Sequence, residues 1–463
     1  MCGLATILDW KLGGWLSKLE AERAVRHALL RMQYRGLPGR FKITTSENGK
    51  CILGHVRLPI VNLSQEADQP YVDPETGTQT LFVGEIFNYQ DLDYVHNGAV
   101  KKSKSDTEAL SRAFLTAGIN FFHAFDGFWS AVFAEKDRIT VVTDYLSQKP
   151  LYFHPGKLMI ASEPAAIAYA LPETPLPCEL YFSNVLKWGY DPTGLTPWEG
   201  IIQIPAGTAL AFQNGEWTMR KYWNWSKVAR CNNFREALID SVRNRLKGDL
   251  PVSLLLSGGL DSTVIFKIIT WLLKREVQTF HVDNGEQQYV HIALSGSDSI
   301  ALSCPYVSVS EALTVHQVPV DLGSMVPQLA LAKAVKQHHF NVVLSGDGAD
   351  ELFGGYNRAK EYDSQHSDVF MELPYYHLPR LDRIMMSQTI ELRSPFLAPA
   401  IVKYALGLPW EKRQNKELLR TTFRDIVPPE ICKREKVALK APAVTKGGIA
   451  YRQSLINLWR QSL

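Results

Sequence analysis

The sequence predicts a two-domain chain of mixed class: an α+β unit of two packed sheets, then an α/β unit built on a parallel sheet. Three observations carry that expectation. At 463 residues the chain exceeds what one hydrophobic core ordinarily spans. Residues 128–142, FWSAVFAEKDRITVV, alternate strand-like runs with a short charged turn, as antiparallel strands do. Residues 252–262, VSLLLSGGLDS, pass from an apolar strand through two glycines into the start of a helix, the order of a parallel α/β unit.

Composition narrows the function classes. Lys and Arg number 50 against 47 Asp and Glu, with no long run of either sign, so neither a nucleic-acid groove nor a membrane-facing patch is indicated. No stretch of about 18 apolar residues occurs, and the N-terminus lacks the regions of a signal peptide. The six cysteines are scattered without CxxC or metal-site spacing. A reducing cytoplasm is the expected compartment.

Taken in order, the first half begins Met1-Cys2-Gly3. Once methionine is removed, Cys2 carries a thiol and an α-amine on one residue, and the amine can accept the thiol's proton, giving a nucleophile with its own base. Gly54 to Ile60 ends one strand-like segment, and Leu81 to Tyr89 forms another with a turn inside. Lys104 to Glu108 precedes a helix pattern over 109–114. Between Trp188 and Trp223 the density of Gly, Pro and Trp marks a domain boundary, placed near 208–225.

In the second half, Gly258 and Gly259 let the backbone approach a ligand while unpaired N–H groups at the helix start face it, which makes an anion site. No lysine stands in this loop, so it suits a pyrophosphate better than a transferable γ-phosphate. A second strand is expected over 277–283, ending near His281 to Glu286, and a third over 341–344. The third opens into Ser345-Gly346-Asp347-Gly348-Ala349-Asp350-Glu351-Leu352-Phe353-Gly354-Gly355-Tyr356. Lys416 and Arg420 stand at i,i+4 and are expected on one helical face.

These motifs carry a resemblance. SGGLDS resembles the loop of the N-type ATP pyrophosphatase superfamily, and residues 345–356 resemble the pattern Ser-Gly-Glu-Gly-x-Asp-Glu-x-Phe-Gly-Gly-Tyr. The first half looks like a class II glutamine amidotransferase domain, and the whole chain is similar to asparagine synthetase of the glutamine-hydrolysing type. The resemblance implies an N-terminal nucleophile αββα sandwich over 1–215, then an ATP pyrophosphatase domain over 216–463. It implies Cys2 as nucleophile, Gly84 N–H as an oxyanion donor, and Arg57, Glu85 and Asp106 around glutamine. Ser257, Gly258, Gly259 and Ser262 would hold pyrophosphate, Asp261 and Asp350 would hold Mg²⁺, and Lys416 would meet the phosphates. Asp347, standing for the more frequent glutamate, would assist the amine step. Arg35-Gly36, the segment 144–152, Ala161-Ser162-Glu163 and the segments around Asp382 and Arg393 also match and are read as structural. The basic cluster Lys433-Arg434-Glu435-Lys436, with Lys440, reads equally well as solvated surface.

One departure bears on activity. The family's asparagine before Gly-Glu, an oxyanion donor, is Val83 here, and loss of such a donor costs about 3 kcal/mol, or roughly 10²-fold in rate. The implied function is glutamine- and ATP-dependent amidation of a carboxylate through an acyl-AMP, with aspartate as the first choice of acceptor. A different acceptor, an ammonia-dependent form with a weak glutaminase, and a retired synthetase serving as a scaffold are the alternatives. ATP and Mg²⁺ are the expected cofactors and small molecules the expected partners; a homodimer is left open.

Overall fold

The computed structural model describes residues 2–92, 94–96, 99–101, 105–229, 231–282, 287–321, 323–356, 370–434 and 448–461. Its first unit is two stacked antiparallel sheets of six strands each. The first sheet is centred on Gly3–Ile7, which pairs with Ile52–Val56 on one side and Met159–Ala161 on the other. The second is centred on Arg138–Thr143 and Gly127–Ala134, with Gln79–Ile86 next to the latter. Period-two alternation sends Leu4, Leu53, Leu81, Val83, Val132 and Val141 into the space between the sheets. On the outer face of the first sheet lies the helix Lys18–Arg31, capped by Ser17, which accepts from Glu20 N–H. Its buried Ala21, Val25, Ala28 and Leu29 form one stripe. Gly54 allows the close approach, since a Cβ there would lie 2.5 Å from Val25. The helix Asp106–Ala117, capped by Ser105, covers the outer face of the second sheet against Phe82 and Ile86. These layers make the expected αββα sandwich.

The boundary expected at 215/216 falls inside a hairpin of this unit. Thr208–Gln213 and Glu216–Lys221 pair in full register, and both belong to the second sheet. Asn214 and Gly215, both at positive φ, form the two-residue loop that such a hairpin requires. Turn chemistry that reads as a linker is here the tip of a strand pair. The second unit opens after it, with the helix Phe234–Arg245.

That unit holds five parallel strands in the spatial order Ile300–Leu302, Gln278–Val282, Val252–Leu255, Val342–Leu344, Glu391–Arg393. From Val252–Leu255 the chain adds strands first on one side and then on the other. The order therefore reverses between Val252–Leu255 and Val342–Leu344, the position at which open α/β sheets bind ligands beyond their carboxyl ends. The segment 287–311, opaque as sequence, resolves into the helix Gln287–Leu294, the edge strand Ile300–Leu302 and the start of the helix Val309–His316. Among the described residues no helix is long and apolar enough to cross a membrane.

The two units share a buried joint. One apolar cluster runs from Phe82, Phe122 and Trp129 to Val264, Leu344 and Phe353, and Tyr145 Oη donates to Leu397 O at 2.6 Å. In the polar part, Asp382 on the helix Leu378–Met386 accepts from Arg35 at 2.7 Å and from Lys149 at 2.7 Å. Beside them a cavity of ≈ 20 Å³, lined by Phe128, Gln148, Lys149, Leu381, Asp382 and Met386, has room for about one water-sized molecule.

Candidate active sites

Cys2 immediately precedes the strand Gly3–Ile7, whose first residue pairs with Val56. Its Sγ lies 3.9 Å from Leu58 O, and burial pushes the thiol up while the Arg57 guanidinium pulls it down. Val83 packs in the same apolar cluster as Cys2, Leu58 and Phe128. A buried hydrocarbon side chain therefore stands at the position where the resemblance calls for a donor. Gly84 has φ +146 and no room for a side chain, since a Cβ would meet Phe128 O at 2.0 Å; its conformation demands glycine.

Three further residues were expected around glutamine. Arg57 spends its terminal nitrogens on its own chain: one on Ser64 O at 2.7 Å and Asp68 at 2.8 Å, the other on Val61 O and Asn62 O. Both ends of the guanidinium fork are thus held by the loop 61–68. Asp106 is the first residue of its helix, accepting from Thr107 N–H at 2.8 Å and Ile86 N–H at 3.4 Å. Burial raises its carboxyl to about 7, against the pull of those two N–H groups. Glu85 is pushed well above the usual carboxylate range by burial, with Glu391 and Asp106 adding to the push. The guanidinium facing Glu85 comes from the second unit: Arg393 Nη2 lies 4.0 Å from Glu85 Oε2, while Arg393 Nε donates to Glu391 at 2.6 Å. Glu391 stands close enough to add to the push on both carboxyls, which its motif did not disclose.

The second site occupies the switch point of the parallel sheet. Ser257 N–H and Ser257 Oγ both reach Ser262 Oγ, at 3.2 and 3.1 Å, and Gly259 N–H donates to Ser257 Oγ at 3.3 Å. The two serines thereby fix a loop whose glycines open its backbone. Gly258 has φ +69, and a Cβ there would lie 2.7 Å from the backbone of Tyr289. Asp261 and Asp350 converge from adjacent strand ends on Lys416, whose Nζ lies 2.5 Å from Asp261 Oδ2 and 2.6 Å from Asp350 Oδ1. Gly355 makes space for this group, since a Cβ would fall 1.9 Å from Asp350 Oδ1. Asp347 accepts from Ser345 Oγ at 2.7 Å and lies 3.7 Å from Arg380.

Lys416 does not share a helical face with Arg420. Asn415 and Lys416 both stand at positive φ, 56° and 59°, and the helix begins only at Glu417. The break turns Lys416 into the site and leaves Arg420 to bond Arg434 O at 3.1 Å and Cys432 O. Of the basic cluster, Arg434 is no solvated surface residue: it donates to Gly258 O at 2.9 Å and lies 4.1 Å over the Tyr289 ring. Residues 435–447, and the 283–286 end of the second strand, lie outside the described residues.

The carboxylate pair fits a hard divalent cation. Two oxygens that share one ammonium at these distances lie within about 5 Å of each other, a separation that small side-chain movements adapt to Mg²⁺–O bonds of about 2.1 Å. Asp261 Oδ1 is buried with no hydrogen-bond partner, as a ligand oxygen held for a cation would be.

Comparison with known proteins agrees with this division. A glutamine amidotransferase domain model matches residues 1–223, and an asparagine synthase model matches 233–371 and 361–461. Asparagine synthetase B [glutamine-hydrolyzing] of Escherichia coli (strain K12) is 26% identical over 487 residues, covering 94% of this chain and 81% of that protein. The asparagine synthetase [glutamine-hydrolyzing] of Sandersonia aurantiaca is 24% identical, covering 94% of this chain and 86% of its own. Amidase chry2 of Gibberella zeae is 28% identical, over 67% of this chain and 52% of that protein.

Proposed function

Since the chain belongs to the glutamine-hydrolysing asparagine synthetase family, joining a glutamine amidotransferase domain to an asparagine synthase domain, we propose that it converts aspartate to asparagine. In this reading the carboxylate acceptor attacks the α-phosphorus of ATP, pyrophosphate leaves, and ammonia displaces AMP from the acyl-adenylate. The observation that carries the reading is the meeting of Asp261, Asp350 and Lys416 where the strand order reverses.

Each residue has a task on this reading. Ser257, Gly258, Gly259 and Ser262 receive the departing pyrophosphate with N–H and hydroxyl donors at a helix start. Asp261 and Asp350 would hold Mg²⁺, which when bound neutralises charge on the phosphates. Lys416 then exchanges its carboxylate partners for phosphate oxygens. Asp347, steadied by Ser345 and Arg380, takes a proton from the attacking amine. In the first unit the Cys2 thiol attacks glutamine's carboxamide, forms a thioester and releases ammonia. Glu85 and Asp106 receive glutamine's ammonium, and Gly84 supports the oxyanion.

A second reading, an ammonia-fed synthetase with a weak glutaminase, is favoured by two observations: the hydrocarbon of Val83, buried in the same cluster as Cys2, and the internal bonding of Arg57. One experiment separates the two. The chain is given amide-¹⁵N glutamine, ATP, Mg²⁺ and aspartate, and the products are read by mass spectrometry. Labelled asparagine with AMP is the expected result. Asparagine formed only when ammonium is added moves the conclusion to the second reading; no AMP with either nitrogen source, across a panel of carboxylates, overturns both.

A further inference from the structure

We propose that Asp382, carried by the second unit, is a positioning residue for the Cys2 thiol of the first, acting through Arg35. Cys2 stands just outside the strand ladder, which begins at Gly3 paired with Val56. Its carbonyl accepts from Arg35 Nε at 3.1 Å. The stem of Arg35 lies flat against this first peptide, because Gly3 has no side chain: a Cβ there would come within 3.1 Å of Arg35 Cδ. The turn bearing Arg35 is itself pressed on Arg57, just past the strand Ile52–Val56, since a Cβ on Gly36 would lie 2.7 Å from Arg57 O.

What aims the guanidinium is the rest of its fork. Arg35 Nη1 donates to Glu163 at 2.9 Å, and Nη2 donates to Asp382 at 2.7 Å. Glu163 belongs to the same unit as Cys2, but Asp382 reaches in from the helix Leu378–Met386. Its second oxygen takes Lys149 at 2.7 Å. Arg35, Glu163 and Asp382 are about 1% exposed each, so water does not replace a lost partner. A planar fork with three fixed acceptors has one orientation; with Asp382 gone, the donor to Cys2 O loses the contact that sets its angle. The thiol is therefore correctly presented only while the two units are docked. This couples glutamine attack to an assembled synthetase half, and it rests on the reading of Cys2 as the nucleophile.

The test labels Cys2 in the full chain with two probes, a glutamine-shaped diazoketone that needs an aimed thiol and iodoacetamide that does not, and reads the N-terminal peptide by mass spectrometry. The same peptide shows whether Met1 has been removed. Buried Cys51, its thiol pushed up to about 12 by burial, reports unfolding if it labels. Asp382→Asn is expected to slow diazoketone labelling by about tenfold or more and to shift the pH midpoint of iodoacetamide labelling by about half a unit, with Cys51 silent. Arg35→Lys keeps the charge but not the fork and is expected to do the same; it decides the matter should Asp382→Asn expose Cys51. Tyr145→Phe removes the bond to Leu397 O across the same joint without touching Asp382, Arg35 or Cys2 and is expected within about twofold of the parent. Unchanged labelling in Asp382→Asn and Arg35→Lys, or a Tyr145→Phe effect equal to that of Asp382→Asn, overturns the proposal. A parent chain that reacts with iodoacetamide but never with the diazoketone would instead defeat the glutamine reading, leaving the midpoint to decide the role of Asp382.

Discussion

Asp382 and Asp106 are carboxylates carried equally far out of water, and they end in opposite states. Burial pushes both upward. At Asp382, Arg35 and Lys149 outweigh that push and hold the carboxyl down to about 2. At Asp106, two backbone N–H groups do not, and the carboxyl rises to about 7. Glu85, with Arg393 at 4.0 Å and Glu391 beyond it, sides with Asp106. On the proposed reading the difference separates a joint from a receptor: a buried carboxylate whose cations are built in is structure, whereas carboxylates buried short of cations would be matched to a positive charge that a ligand brings.

The comparison can be broken at either end. The largest effect is expected from Asp382→Asn, which strands Arg35 and Lys149 with Glu163 as the remaining acid; removing one partner of a buried ion pair costs about 3–5 kcal/mol. Denaturant unfolding measures it, and a loss below about 1 kcal/mol would put Asp382 among ordinary surface pairs. Next is Val83→Asn, which gives the receptor side the donor it lacks. Glutamine hydrolysis, followed as glutamate release, is expected to rise by up to about 10²-fold; no rise would mean that Arg57, rather than Val83, limits the site.

The effect of Asp106→Asn is set by pH: a rise from near 4 to about 7 corresponds to about 4 kcal/mol at high pH and to nothing near pH 4. Because the folded carboxyl lies above its unfolded value near 4, its contribution to stability is full below about 4 and is lost as pH rises through about 7. The variant should therefore gain on the parent at pH 8, and the gain should vanish near pH 4. Asp382 runs the other way: its contribution is full above about 4 and is lost as pH falls toward 2. Unfolding curves of the parent, Asp106→Asn and Asp382→Asn between pH 3 and 8 would show the opposed slopes, and parallel slopes would erase the distinction between joint and receptor.

What sequence alone determined is whatever depends on neighbours along the chain. The anion loop was legible because two glycines and two serines must follow an apolar strand for backbone N–H groups to face a phosphate, and the strand, loop and helix at 252–267 stand where that pattern puts them. Ser345 to Tyr356 was legible through its resemblance to a family motif that is contiguous along the chain. Tertiary structure alone decided which distant groups meet. Lys416 reaches Asp261 across 155 positions because two consecutive left-handed residues turn it off the helix that its spacing suggested. Asp382 reaches Arg35 across 347 positions, and Glu391 and Arg393 reach the pocket of Glu85 from the edge of another sheet. The charge state of a buried carboxylate follows from these meetings, since one residue type settles near 2 or near 7 according to which cations the packing leaves beside it.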